Sequence, residues 1–247
     1  MTAVWVTIHT AASRLHQNDG DTNHSRRDTM PSIIEHIVGP RIDQDDRQAN
    51  TIRYGAPGFL LLIARVMLLV SLFVPFWHME LVAPQYPENL HLVAYVNHLS
   101  GDVAEIDSLN HYIGMRPLGE AAQIERSVGV YVMIFFVLML ELSSSIRSRW
   151  AVLLVLPVVL FPAVFLIDLY LWMSHFGMNL DPDAPLSNAV DPFVPPVLGT
   201  GMVGQFKTVA SPGLGLILSS IASLVILVAL FFHRRAYLPH FKAQKAA

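Results

Sequence analysis

Four long blocks of apolar residues constrain this chain more than any other feature of its sequence. Each block has about 18 or more mostly apolar residues, the length that a helix needs to cross a bilayer. The blocks cover approximately residues 58–77, 128–146, 150–173 and 213–232. Backbone groups in lipid cannot bind water, so each block must satisfy its own hydrogen bonds as a helix. The sequence therefore predicts an all-α integral membrane protein with four transmembrane helices.

The composition agrees with a membrane protein and excludes several other classes. Of the 247 residues, 53% are hydrophobic and only 14% are charged, against roughly 25% charged residues in an average soluble domain. Cysteine is absent, which excludes disulfides, thiolate metal sites and a cysteine nucleophile. The net charge of -3 argues against a nucleic-acid partner, because such binders are normally basic. Membrane lipid is the first partner that the sequence predicts.

The distribution of lysine and arginine predicts the orientation of the helices. Both tails and the short turn between the second and third blocks are rich in these residues. The first outward segment, residues 78–127, and the second outward segment, residues 174–212, contain only Arg116, Arg126 and Lys207. Positive charge marks the cytoplasmic side, so we expect both termini inside and both segments outside. This topology predicts a multi-pass protein of a bacterial inner (cytoplasmic) membrane.

Three regions follow from this pattern. Residues 1–50 are polar and are predicted to be a disordered cytoplasmic tail, within which Met30 is an alternative start. Residues 51–235 form the four-helix membrane domain, and residues 236–247 form a short basic cytoplasmic tail. No secretory signal is apparent, so we expect the first span to act as an uncleaved anchor.

Three ionisable residues lie within the predicted spans. Arg65 and Glu141 lie about 12 Å and about 7 Å in from the cytoplasmic side at 1.5 Å per residue, so we expect them to pair. Asp168 lies near the opposite end of its span and is expected to cap or anchor the outward segments. Burying such charges costs roughly 2.5 kcal/mol or more, which makes each of them a candidate functional residue.

The two outward segments are expected to form a small ordered cap. In the first, Leu90–His98 alternates like a strand, Ser100–Asp102 indicates a turn, and Val103–Tyr112 is typical of a short helix. Asp102 and Glu105 would then lie at the N-cap and N3 positions of that helix. The second segment is rich in proline, which predicts a stiff extended cover over the first.

Histidine and methionine concentrate in the outward segments, and imidazole and thioether groups are ligands that suit copper. The candidate metal ligands are His78, His111, Met115, His175 and Met178, with copper as the possible cofactor. Histidines near a membrane surface are also commonly structural, and methionines commonly fill gaps in packing. Both interpretations stay open at this point.

The sequence contains no arrangement that is typical of an enzyme. Glu105 and Asp107 are two residues apart, so they do not share a helix face. There is no Ser-His-Asp signature and no H-E-x-x-H motif. We therefore predict no catalytic residues. A third interpretation is a quinol-linked electron-transfer subunit, in which Asp168 and Tyr170 would contact the quinol head group.

Several runs of the chain resemble a small family of bacterial four-helix membrane proteins. They are APQYPENLHL (Ala83–Leu92), GDVAEIDSLNHYIGM (Gly101–Met115), DLYLWMSHFGMNLDPDAP (Asp168–Pro185), PFVPPVLG (Pro192–Gly199) and ASPGLG (Ala210–Gly215). The resemblance covers roughly residues 58–235. Members of that family are often found with genes for nitrous oxide reductase and the maturation of its copper site.

The resemblance implies an accessory role outside the cytoplasmic membrane, in assembly, copper supply or electron delivery for a periplasmic copper enzyme. It also implies a protein partner on that side and supplies no catalytic assignment. A surface Cu(I)-binding or transport protein is the alternative. The residues that match the core of the family pattern are Gln85, Tyr86, Pro87, Gly101, Asp102, Asn110, His111, Tyr112, Gly114, Met115 and Asp168.

Overall fold

The computed structural model of the protein describes residues 48, 50–148, 150–203 and 206–246, with side chains up to residue 239. The predicted disordered tail, residues 1–50, therefore lies outside the described residues except for Gln48 and Asn50. Within the described part, the chain forms five α-helices, a short 3-10 helix and five β-strands.

Four of the five helices are long and apolar enough to cross a membrane, as the sequence predicted. The helices are α1 (Thr51–Ser71), α2 (Val103–Ile113), α3 (Gln123–Ser145), α4 (Ala151–Met178) and α5 (Leu214–Ala246). Helices α1, α3, α4 and α5 make the chain a multi-pass membrane protein by length and composition. The remaining helix, α2, is short.

The prediction of an all-α fold was wrong, because the outward segments form a five-stranded antiparallel sheet. The fold is therefore mixed α/β. The strands are β1 (Trp77–Val82), β2 (Leu90–Ala94), β3 (Leu99–Gly101), β4 (Gly199–Val203) and β5 (Phe206–Pro212). The strand order across the sheet is β3-β2-β1-β5-β4.

The central strand β1 joins the two outward segments. It pairs with β2 of the first segment, and on its other edge it pairs with β5 of the second segment. The second pairing runs in register from Trp77 opposite Pro212 to Val82 opposite Lys207. Both segments therefore lie at the same end of the helices, and we call their folded unit, residues 77–122 and 179–212, the cap.

Local structure in the first segment differs from the prediction in one respect. The strand predicted over Leu90–His98 ends at Ala94, and a tight turn leads into β3. The Tyr95 N–H donates to the His98 carbonyl at 2.9 Å, and the two rings stack with centroids 4.3 Å apart. The predicted strand therefore consists of β2 and the turn of a hairpin, whose second strand is β3. The predicted helix over Val103–Tyr112 is confirmed as α2.

The membrane helices pack as a bundle in which α1 lies along α5, while α3 and α4 complete the ring. Small and aliphatic side chains fill the centre, including Ala64, Leu68 and Ile226. The predicted ion pair between Arg65 of α1 and Glu141 of α3 is confirmed. Arg65 is mostly buried, and its Nε also donates to a backbone carbonyl one turn earlier.

The cap is packed directly on the bundle. Its own apolar core contains Trp77, Leu92 and Ile106, and Leu169 and Met173 of α4 pack against that core. Because α4 runs from the bundle into the cap core, the position of the sheet is fixed relative to the helices. This arrangement places one face of the sheet against the last turns of a membrane helix.

Candidate functional site

The Gly101–Asp102 pair holds α2 against β2. Gly101 has φ of +94°, and a Cβ at this position would strike the backbone carbonyl of His91. Asp102 occupies the N-cap position of α2, as predicted, but its side chain makes no bond to that helix. Its carboxylate accepts from the His91 N–H instead. The motif therefore fixes the start of the helix to the sheet.

Gly114 ends α2 and receives the second outward segment. It is the left-handed C-cap, with φ of +79°. The Asp181 N–H donates to the Gly114 carbonyl at 2.8 Å, and the Leu186 N–H donates to the Tyr112 carbonyl at 2.9 Å. The second segment thus covers the end of α2, as expected from the sequence.

The Gln85–Tyr86–Pro87 run forms turns between β1 and β2. The Tyr86 N–H donates to the Ala83 carbonyl at 2.9 Å, and the Asn89 N–H donates to the Tyr86 carbonyl at 3.0 Å. Tyr86 packs against the cap core, whereas Gln85 and Pro87 are exposed. In this run, Tyr86 is the residue that anchors the turn to the cap.

The candidate copper ligands are spread over the cap and the end of α4. His111 is exposed on α2, beyond which Gly114 ends the helix, and Met115 lies in the following segment. His175 and Met178 are both exposed at the end of α4, and the Nδ1 of His175 lies 3.3 Å from the amide nitrogen of Asn179.

His78 is half-buried on β1. Among the residues that the structure describes, no group of three or more His, Asp or Glu side chains is placed to hold a metal ion. Copper ligation by the candidate histidines and methionines therefore remains a prediction.

Asp168 is half-buried on α4, one helical turn before Trp172.

An apolar cavity of about 130 Å³ lies between the sheet, α2 and the cap end of α4. Sequence reasoning did not predict this cavity. The sheet and α2 contribute Trp77, Met79, Leu81, Leu92, Ile106, Leu109 and Asn110, and α4 contributes Leu169, Trp172, Met173 and Phe176.

The walls of this cavity are aromatic and uncharged. No Asp, Glu, Lys, Arg or His is among the described residues that line it. Trp172 and Phe176 meet edge to face, with ring centroids 5.7 Å apart. Trp77 is almost fully buried, and its indole Nε1–H donates to the Val197 carbonyl at 2.6 Å. That bond fixes the Trp77 ring and ties the second outward segment to β1.

Two polar atoms at this cavity have no hydrogen-bond partner within the described part of the chain. They are Nδ2 of Asn110 and Oγ1 of Thr208. The side chains are 7% and 3% exposed, and both residues line the cavity. A buried polar group that lacks a partner costs about 1–3 kcal/mol, so an arrangement with two of them indicates a ligand site.

Of the cavity residues, Asn110 and Met115 are candidate residues of the sequence analysis, whereas the sequence does not indicate Trp77 or Thr208. Trp77 was assigned to the end of the first span, and only its position on β1 brings it to the cavity. Thr208 faces inward because burial alternates along β5, with Thr208 and Ala210 buried and Lys207 exposed. The residue types of 206–210 (FKTVA) do not alternate between apolar and polar, so the sequence contains no signal for this position.

No family model, curated protein or solved structure matches this chain.

Proposed function

We propose that this is an accessory membrane protein that acts outside the cytoplasmic membrane, in assembly, copper supply or electron delivery for a periplasmic copper enzyme. The resemblance of the outward segments points to nitrous oxide reductase as that enzyme. The cap is the part of the molecule that would meet the partner. The helices would hold the cap at the membrane surface.

The pairing of β1 with β5 carries this proposal. It joins two segments that are far apart in the sequence into one sheet at a single end of the bundle. A connection between two spans needs only a few residues, whereas these segments form a sheet, a helix and a shared core. An ordered unit of this kind suits recognition, because binding residues are held by a rigid scaffold.

The distribution of lysine and arginine supports the assignment of the cap to the outer side of the membrane. The segments that form the cap contain few lysines and arginines, whereas the opposite end of the bundle is followed by Arg147, Arg234 and Arg235. Positive charge near the helix ends favours the cytoplasmic side. The cap would then face the compartment in which a periplasmic enzyme matures.

The proposal is tested by nitrous oxide consumption in a host that encodes the reductase. A deletion strain is compared with the same strain that carries the wild-type gene, each with and without added copper. We expect the deletion to lose consumption. Rescue by copper would assign the role to metal supply, and loss without rescue would assign it to assembly or electron delivery. Unchanged consumption would contradict the proposal.

One observation favours the alternative of a Cu(I)-binding protein. Met79, Met115 and Met173 all line the cavity, and thioethers are ligands for Cu(I). Methionine also fills irregular apolar gaps without any metal. Metal analysis of the purified protein after loading with Cu(I) tests this alternative, with a variant in which all three methionines are replaced by leucine as the control. Equal copper content in both proteins would exclude the cavity as the site.

A further inference from the structure

We infer that the cavity between the sheet and α4 binds an uncharged, lipid-soluble compound with a single ring and a carbonyl oxygen, the chemistry of a benzoquinone head group. This inference goes beyond the proposed function, because it depends only on the lining of the cavity. It assigns a ligand class to a site whose walls and polar atoms are all within the described residues. The inference concerns binding and includes no redox step.

The lining does not suit a charged organic ligand. Every described residue that lines the cavity is apolar or carries an uncharged polar group. A charged organic group placed there would lose its hydration without a counter-charge, which is strongly unfavourable. Phospholipid head groups and free anions therefore do not suit the cavity, whereas a neutral ring does.

The size and the walls of the cavity suit one ring. A protein cavity of about 150 Å³ is known to hold benzene, and this one measures about 130 Å³. Trp77, Trp172 and Phe176 supply aromatic faces and edges, against which a flat ring packs favourably. The cavity is partly open, so a chain attached to the ring can extend out of it.

The two unpartnered atoms specify the polar part of the ligand. Nδ2 of Asn110 can only donate a hydrogen bond, and the hydroxyl of Thr208 can donate one as well. A cation cannot use either hydrogen, but a carbonyl oxygen accepts from both types of group. Without such an acceptor, both side chains stay unsatisfied in an apolar environment, at a cost to stability.

The location supplies access to such a ligand. Leu169, Trp172 and Phe176 belong to α4, which is one of the four helices suited to crossing the membrane. The cavity thus lies at the end of a membrane helix, where a lipid-soluble compound is concentrated. A compound with an apolar tail and an uncharged ring head would therefore have a short path to this site from the bilayer.

The test is a titration of the purified full-length protein in detergent with decylubiquinone, followed by tryptophan fluorescence. Two of the four tryptophans, Trp77 and Trp172, line the cavity, so a bound ring should quench the emission to a plateau. We expect Asn110→Leu and Thr208→Val each to weaken binding about five- to tenfold, the loss expected for one hydrogen bond. Thr200→Val, at an exposed position of β4, is the matched control and should bind like wild type.

A second measurement separates a ligand site from a merely structural role. Because Asn110 and Thr208 are unsatisfied when the cavity is empty, Asn110→Leu and Thr208→Val should raise the melting temperature of the ligand-free protein while they weaken binding. A structural polar pair would give lower melting temperatures instead. Lower melting temperatures would therefore overturn the inference.

Three further outcomes would also overturn it. Quenching that rises without a plateau would mean partitioning of the quinone into detergent. Equal affinity in wild type and in both cavity variants would mean that the polar atoms do not contact the ligand. Displacement of decylubiquinone by an equal concentration of monoolein would mean that the site holds an acyl chain and does not recognise a ring. None of these readouts depends on nitrous oxide consumption, so the inference and the proposed function can fail separately.

Discussion

Asp102 and His91 are joined by two hydrogen bonds that run in opposite directions. The Asp102 carboxylate accepts from the His91 backbone N–H at 2.8 Å, and the Asp102 backbone N–H donates to the His91 carbonyl at 2.7 Å. His91 lies on β2 and Asp102 directly precedes α2. The pair therefore fixes the helix that carries Asn110 and His111 to the sheet.

Replacing Asp102 with alanine should destabilise the cap. The change removes a charge-assisted hydrogen bond between α2 and β2, which should cost about 1 kcal/mol at this exposed position. The measurement is the free energy of unfolding of the detergent-solubilised protein by tryptophan fluorescence. Glu105→Ala, at an exposed position of the same helix, should change it much less. Equal effects of the two changes would contradict this role of Asp102.

Replacing Gly114 with alanine should separate the second outward segment from the first. A Cβ at this position would strike the backbone of Asp181, and the left-handed conformation itself costs a non-glycine residue roughly 1–2 kcal/mol. Limited proteolysis should therefore cut residues 180–190 faster in Gly114→Ala than in wild type. Gly119→Ala is the matched control, since a Cβ there meets no atom within 4 Å. An unchanged cleavage rate in Gly114→Ala would rule out this role.

The four membrane helices could be predicted because each is an uninterrupted apolar block, which is a local signal. The sheet could not, since its strands are only three to seven residues long. The pairing of β1 with β5 also joins parts of the chain on either side of three helices. Trp77 illustrates the difficulty, because its side chain fits the end of an apolar span as well as the first position of a strand.

The candidate site was predictable only in part for the same reason. Asn110 and Met115 belong to a recognisable run, but the cavity also needs Thr208 from the second segment and Trp172 from α4. Thr208 lies on the inner face of β5, but the sequence shows neither that face nor the strand that lies beside it. The three-dimensional pairing supplies that information.

The stability of the protein should depend on Arg65 and Glu141 mainly through their pairing. Replacing either residue with methionine leaves the other charge unpaired on a membrane-spanning helix, at a cost of roughly 2.5 kcal/mol or more. Replacing both with methionine removes the two charges together, and such exchanges are often neutral or stabilising. We expect both single variants to melt at lower temperature in detergent and the double variant to recover most of the loss. A double variant as unstable as the sum of the singles would show that the two side chains are not coupled.

The orientation can be tested with single cysteines, because the chain has none of its own. Ser100→Cys lies at an exposed position of β3 in the cap, and Ser145→Cys lies at an exposed position at the opposite end of α3. If the cap is outside, a membrane-impermeant maleimide should label only Ser100→Cys in spheroplasts. Both variants should react after lysis, which controls for accessibility. Labelling of only Ser145→Cys in spheroplasts would invert the predicted topology.

His111 and Met115 are four residues apart, but they meet different surroundings, and this allows their roles to be separated. His111 is exposed on α2, whereas Met115 lines the cavity. We expect the double change of both residues to alanine to impair nitrous oxide consumption while the amount of protein in the membrane stays normal. Met115→Leu keeps the volume but removes the thioether, so it should retain activity if Met115 only packs and lose it if the sulfur is a ligand. Full activity of the double variant at wild-type protein level would exclude both residues from the function.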